Sequence, residues 1–251
     1  MYLLIDIGNT RIKWQHRDAK NTLLTGDILV EDFMDIDFSQ IKALEKILIS
    51  NVNHKIVLEK IKKSTARFKC PLIEVGTQSN HIMTNDYEDI SQLGVDRWLT
   101  ALGAWKRYEE SLLVINAGTA ITIDLIALDK NKKLHFRGGM ILPGIAISLA
   151  MLNNSTNLIN TELGKNSFPS LNTTDAVTSG IFTSIQGAVN LVCKQFPSSL
   201  PILLTGGDAH LIYEQAEEDW KLRTKLEDDL LFDGLETVSY THLTLPTTPY
   251  V

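Results

Sequence analysis

A chain of 251 residues with 44% apolar and 22% charged residues can bury a sizeable core, as one large domain or two small lobes. Its formal net charge of −6 repels nucleic-acid phosphates and anionic membranes, which argues against a general nucleic-acid coat. The two cysteines, Cys70 and Cys193, lie far apart with no second Cys or His at ligand spacing, so reduced thiols are expected rather than a zinc site or disulfide framework.

In chain order, residues 2–7 read as a short buried strand that ends at Gly8-Asn9. The first apolar run, Leu3-Leu4-Ile5, meets Asp6 at once, so no secretory signal is expected. Apolar stretches look strand-sized, so no membrane helix is expected, and a cytoplasmic enzyme fits. Residues 11–15 alternate Ile12 and Trp14 with polar neighbours, which predicts a hairpin with Gly8-Asn9-Thr10 as its loop. Residues 41–47 look helical, 46–52 strand-like, 55–68 helical and 71–75 strand-like. Trp98, Ala101, Leu102 and Trp105 mark one face of a helix that follows Gly94 and Asp96. Residues 112–115 and the run through Ile121, Ile123 and Leu125 are strands around a Gly118 turn. A polar turn at 129–133 leads to a returning strand at 134–136, and Gly138-Gly139 and Pro143-Gly144 then punctuate a loop. Helices are expected at 145–152, at 175–196 (broken or closely packed at Gly180 and Gly187) and at 208–218, with a strand at 201–205 before the Gly206-Gly207 turn. The Thr- and Pro-rich residues 239–251 follow neither period and read as a tail, either disordered or artificially appended, with no function of its own.

The chain echoes itself. Leu3-Leu4-Ile5-Asp6-Ile7-Gly8-Asn9-Thr10 aligns with Leu113-Val114-Ile115-Asn116-Ala117-Gly118-Thr119-Ala120. Each copy ends one apolar strand and begins another. This predicts two lobes of similar topology, 1–110 and 111–238, each aiming one hairpin loop into a shared cleft. Glycine lets the backbone approach phosphate oxygens, and turn N–H groups and Thr hydroxyls donate to them. Asp6 at a strand end suits Mg²⁺ held through water. Taken alone, Gly8-Asn9 is equally a plain hairpin turn. Thr205-Gly206-Gly207-Asp208-Ala209 adds a strand–glycine–helix junction in which Asp208 is either an N-cap or part of a nucleotide site.

Several segments together carry a family resemblance. They are residues 6–13, Gly94-Val95-Asp96-Arg97, Asn116-Ala117-Gly118-Thr119-Ala120-Ile121-Thr122, Gly138-Gly139-Met140-Ile141-Leu142-Pro143-Gly144, Asn172-Thr173 and Thr205-Gly206-Gly207-Asp208-Ala209. In this order the chain, to about Leu235, resembles type III pantothenate kinase of the acetate-kinase/Hsp70/actin superfamily. The resemblance implies an α/β fold of two ribonuclease-H-like lobes, each a mixed sheet with flanking helices, and a nucleotide cleft between them. It implies transfer of the ATP γ-phosphate to the primary hydroxyl of pantothenate, giving 4'-phosphopantothenate in the first step of coenzyme A synthesis. ATP with Mg²⁺ would be cradled by Asp6, Ile7, Gly8, Asn9, Thr10, Arg11, Ile12, Lys13 and Thr119. Asp96 would accept the hydroxyl proton, and Tyr87, Gly94, Val95, Asp96 and Arg97 would line the pantothenate site. Thr173 would come from a neighbouring subunit, which implies a homodimer with shared sites, without nucleic acid or membrane. Asn116 stands where the family has an Asp that holds K⁺ or NH₄⁺, so weaker cation dependence is expected.

The residues also admit plainer readings. Asp96 before a helix is a common N-cap, whereas Arg97 in the first turn opposes the helix dipole and is better explained by a facing anion. Lys13 shares a strand face with Arg11, opposite Ile12 and Trp14, and serves either solvent or phosphate. Tyr87 is a surface residue or a lid. Two alternatives stay open: a non-catalytic nucleotide-binding regulator on the same fold, or another kinase or phosphatase of the superfamily.

Overall fold

Leu3, Leu4, Ile5 and Ile7 are completely shielded from solvent, as a strand covered on both faces requires. This strand, β1 (Tyr2–Ile7), centres a sheet with β2 (Arg11–Arg17), β3 (Thr22–Leu29) and β4 (Lys46–Asn51). Helix α1 (Lys55–Thr65) follows, then β5 (Leu72–Glu74), β6 (Met83–Asn85) and α2 (Val95–Tyr108). The computed structural model describes residues 1–18, 21–77, 82–155 and 162–241.

The strand order is β3-β2-β1-β4-β5, with β1–β2 and β2–β3 antiparallel and β1–β4 and β4–β5 parallel. Leu3, Ile5 and Ile7 pack with Ile12, Phe38, Ile41, Ile47, Ile49, Val57, Leu58 and Ile61 in one core. The helix expected at 41–47 does not form. Ile41 instead plugs this core at 2% exposure, and Lys46 and Ile47 already belong to β4. The remaining stretch is too short to nucleate a helix. Strand β3 carries no clear signal in the sequence, because its burial does not alternate cleanly.

The second sheet is built from β7 (Leu112–Ala117), β8 (Ala120–Leu128), β9 (Leu134–Pro143), β10 (Ile202–Thr205) and β11 (Thr224–Leu226), with β6 added at the β9 edge. Helices α3 (Ile145–Ser155), α4 (Thr173–Cys193), α5 (Ala209–Glu214) and α6 (Glu218–Lys221) lie between these strands in sequence, and α7 (Leu230–Thr241) closes the described chain. Beyond the added β6, the order β9-β8-β7-β10-β11 repeats that of the first sheet. Again β7–β8 is antiparallel while β7–β10 and β10–β11 are parallel. The sequence echo is therefore a repeat of topology, with β1 matching β7.

Four expectations are corrected. Strand β9 runs on to Pro143 through Gly138-Gly139, because a residue with no β-carbon can lie against Ile123 O where a side chain would clash. Helix α4 is continuous, and a β-carbon on Gly180 or Gly187 would point into open space, so neither glycine marks a close contact. Residues 208–218 divide into α5 and the start of α6. Finally, the longest apolar stretch is not strand-sized: α4 has 21 residues, long and apolar enough to cross a membrane by length and composition only, and half of the stretch is buried, with Ile181, Phe182, Ile185 and Val189 in the core of its unit as in a core helix.

The chain forms two compact units. The first comprises Met1–Glu109, Leu128–Phe136 and the chain from Asp229; the second comprises Glu110–Ala127 and Arg137–Asp228. The units thus interleave in sequence, unlike the expected split at 110, and α7 belongs to the first. Gly103 of α2 and Gly234 of α7 explain why: a β-carbon on Gly234 would lie 2.0 Å from Leu99 O, and one on Gly103 would lie 1.9 Å from Leu230 O. Two glycines let the helix backbones touch. Val238 and Ser239 are buried, so the helix continues past the expected start of the tail, while residues 242–251 lie outside the described residues.

Candidate active site

In the first unit the hairpin Gly8-Asn9-Thr10 joins β1 to β2 as expected. Gly8 N donates to Arg11 O at 3.0 Å, Asn53 Nδ2 donates to Gly8 O at 2.7 Å, and Val30 N donates to Thr10 O at 2.9 Å. The loop is therefore braced from three elements, with Asn9, Thr10, Arg11 and Lys13 exposed. Arg11 forms an ion pair with Asp27, so its charge is engaged within the unit. Ile7 and Ile12 have fully buried side chains, which leaves only their main chain to face a ligand.

Asp6 sits in register with Lys13 on β2 and Ser50 on β4. Its Oδ1 is buried and, among the described residues, has no hydrogen-bond partner within bonding geometry. Burial lifts the Asp6 pKa to about 7, and the nearby charge of Asp96 adds to the rise, while Ser50 and Lys13 oppose it. An orphaned carboxylate oxygen beside a glycine loop, at the carboxyl end of a strand where the sheet order reverses, fits a hydrated divalent cation.

Helix α2 presents the next group. Its N-cap is Gly94, with no side-chain capping bond, and Asp96 lies inside the first turn. The N-cap reading of Asp96 therefore fails. A β-carbon at Gly94 would lie 2.5 Å from Asp96 Oδ1, so the carboxylate folds back over the glycine. Val95 is buried. Arg97 is 5% exposed, donates from Nη1 to Tyr87 Oη at 2.7 Å, and lies 5.7 Å from the Tyr87 ring centre and 5.5 Å from that of Phe136. The Tyr87 and Phe136 rings are 5.9 Å apart. A buried guanidinium on aromatic rings, next to a carboxylate, can grip an anionic small molecule while the carboxylate holds a hydroxyl.

The second unit repeats the arrangement with different chemistry. Asn116 stands in register with Thr122 and Thr205, as Asp6 does with Lys13 and Ser50. Gly206, at φ +102°, turns so tightly that a β-carbon would lie 2.3 Å from Ala117 O and 2.7 Å from Asn116 Oδ1. Asp208 N donates to Ala117 O at 3.0 Å, and Gly144 N donates to Thr119 O at 3.1 Å. The segments at Gly144 and Gly206 thus both pack against the Asn116–Ala120 hairpin, with Thr119 exposed at its tip. Asp208 is the N-cap of α5 but makes no side-chain capping bond, and burial raises its pKa.

Thr173 opens α4, capped by Asn172 Oδ1, which accepts from Asp175 N at 2.9 Å. It is exposed at the rim of a cavity of about 870 Å³ lined by Leu142, Met151, Leu152, Leu171, Val177 and Ile181 among others. Asp6 to Lys13, Tyr87 and Gly94 to Arg97 therefore belong to the first unit, whereas Asn116, Thr119 and Thr173 belong to the second.

Sequence reasoning missed Ser50, Asn53 and Phe136. The polar run Ser50-Asn51-Val52-Asn53 at the end of a buried strand was a usable signal for the first two. Phe136 carried none, since only the β6–β9 pairing brings it to Tyr87.

The sequence profile of type III pantothenate kinases matches residues 2–195. A type III pantothenate kinase from Methylobacillus flagellatus is 36% identical over 248 residues, covering 93% of this chain and 95% of that one. Among solved structures, a Campylobacter jejuni protein described as a Baf family transcriptional activator superposes with a TM-score of 0.63 at 25% identity, covering 97% of this chain and 100% of its own. A Sinorhizobium meliloti structure described as a 2-dehydro-3-deoxygalactonokinase shares the fold at a TM-score of 0.58 and 11% identity, over 98% of this chain and 100% of its own. The braced glycine hairpins, the repeated sheet order and these matches agree: the chain has the fold of the acetate-kinase/Hsp70/actin superfamily and belongs to the type III pantothenate kinase family.

Proposed function

We propose that this chain phosphorylates pantothenate on its primary hydroxyl with ATP, giving 4'-phosphopantothenate and ADP, the first step of coenzyme A synthesis. The observation that carries the reading is Asp96, a carboxylate in the first turn of α2 that capping does not consume, beside a buried Arg97.

Phosphoryl transfer needs alignment of the attacking oxygen and neutralisation of charge more than it needs covalent chemistry. Asp96 accepts the hydrogen bond of the pantothenate hydroxyl and directs an oxygen lone pair at the γ-phosphorus. As the new P–O bond forms and the bond to ADP breaks, the hydroxyl proton passes to Asp96. Arg97, steadied by Tyr87, pairs with the pantothenate carboxylate. The Gly8-Asn9-Thr10 loop, Lys13 and Thr119 bind nucleotide phosphates. Asp6 would hold Mg²⁺ through water, and the ion when bound neutralises phosphate charge. Asn116 keeps a carbonyl oxygen at the counterpart of Asp6 but no charge, which supports a weak site for K⁺ or NH₄⁺.

The chain acts in our reading as a cytoplasmic homodimer in which Thr173 serves the substrate site of a second copy. Phe168 and Leu171 support this, since both lie beside Thr173 in the chain and are more than nine-tenths exposed. ADP release with and without pantothenate, in Mg²⁺ and K⁺, tests the reading. Release that depends on pantothenate is expected; turnover that ignores pantothenate would remove it.

A further inference from the structure

Tyr87 reaches Arg97 from an insecure base. It follows β6, a strand of three residues whose backbone pairs in parallel with Leu134–Phe136 of β9. Asp86 N donates to Phe136 O at 3.1 Å, which ends that pairing one residue before Tyr87. So short a ladder fixes a side chain poorly unless side chains lock it.

Side chains add two such locks among the described residues: Asn85 Oδ1 accepts from Tyr87 N at 3.0 Å, which shapes the local turn, and His135 ties the segment to the neighbouring strand. His135 Nδ1 lies 2.9 Å from Asp86 Oδ1, and a carboxylate only accepts, so Nδ1 is the donor. His135 Nε2 faces Asp129 Oδ2 at 3.7 Å, beyond hydrogen-bond reach, and is buried with no hydrogen-bond partner among the described residues. Asp129 is itself fixed by the turn it starts, accepting from Lys133 N and Asn131 N at 2.8 Å each. His135 precedes Phe136 and Asp86 precedes Tyr87, so this one bond ties together the bases of both rings that flank Arg97.

We propose that His135 is a positioning residue for the acceptor site: through Asp86 it holds Tyr87 where the phenol receives the Arg97 guanidinium. The inference rests on assigning Tyr87 and Arg97 to pantothenate. The bond that matters is made by Nδ1, and the two amide side chains separate the ring nitrogens. Asn places its N–H₂ near Nδ1 and can keep the bond to Asp86. Gln places its N–H₂ near Nε2 and cannot.

The test compares His135→Asn, His135→Gln and Tyr87→Phe in steady-state assays that vary pantothenate and ATP separately, with melting temperatures as a fold control. His135→Gln is expected to raise the KM for pantothenate about fivefold to tenfold, with the KM for ATP unchanged. His135→Asn is expected to restore most of the loss, and Tyr87→Phe to match His135→Gln. If Tyr87→Phe raises the pantothenate KM while His135→Gln and His135→Asn both match wild type, or lose stability equally with no change in KM, His135 is no positioning residue and the assignment of the site stands. If Tyr87→Phe leaves the pantothenate KM untouched, the assignment of Tyr87 fails and this inference fails with it.

Discussion

The carboxylate of Asp96 occupies the space that a side chain on Gly94 would need, with 2.5 Å between Asp96 Oδ1 and a β-carbon at that glycine. The glycine of the Gly94-Val95-Asp96-Arg97 segment therefore sets the rotamer of the acid two residues on. Gly94→Ala forces the carboxylate to another rotamer while α2 remains. A fall in kcat of about tenfold to a hundredfold is expected. Circular dichroism should show the helix intact, and an unchanged kcat would separate Asp96 from the chemistry.

Asp6 gives a pH-dependent stability. An unfolded aspartate ionises near 3.8, while the folded chain keeps its Asp6 proton to about 7. Between those values the folded state binds more protons, so this group lowers stability as pH rises from about 4 to about 7 and adds nothing further above. Asp6→Asn removes the buried charge. Without nucleotide or Mg²⁺, the variant should melt with wild type at about pH 4 and a few degrees above it at about pH 8. The same variant should lose Mg²⁺-dependent turnover. A gap that widens toward acid would reverse the sign argued here.

Gly206 combines φ +102° with the backbone of Ala117 at 2.3 Å from any β-carbon. Gly206→Ala should destabilise by about 1–3 kcal/mol from backbone strain alone. The hairpin that bears Thr119 should shift with it, raising the KM for ATP more than that for pantothenate. Thermal melts and paired kinetics check both effects.

Asn116 holds the position in β7 that Asp6 holds in β1. Asn116→Asp restores a charge there and should steepen activation in a KCl titration. Equal activation of both forms would show that this position does not govern cation dependence.

Much of the architecture was legible because local signals agreed. Leu3 to Thr10 announced a buried strand and a turn, and its echo at Leu113 to Ala120 announced the repeat. The α2 face of Trp98, Ala101 and Leu102 was equally plain, and all three are buried. What escaped depends on distant partners. Strands β3 and β11 are defined by neighbours rather than by their own pattern, and α7 had no helical reading, its last residues from 239 falling in the expected tail; what fixes it is Gly234 against Leu99, far away in sequence. At the site, Asp96 and Arg97 were readable as a pair in one helical turn. Ser50 had a signal in its polar run at a strand end, but its place beside Asp6, like that of Phe136 beside Tyr87, follows only from parallel pairing between strands far apart in sequence. Ile7 and Ile12 were included with the phosphate loop through the family resemblance, but their side chains belong to the core.

The central claim is that Asp96 directs the pantothenate hydroxyl at ATP. Phosphorus NMR of a reaction containing pantothenate, ATP, Mg²⁺ and K⁺ tests it most directly. Wild type should yield a phosphomonoester at the primary hydroxyl, and Asp96→Asn, folded to the same melting temperature, should yield almost none in the same time. The same product at the same rate from Asp96→Asn, or none from wild type, would contradict the account.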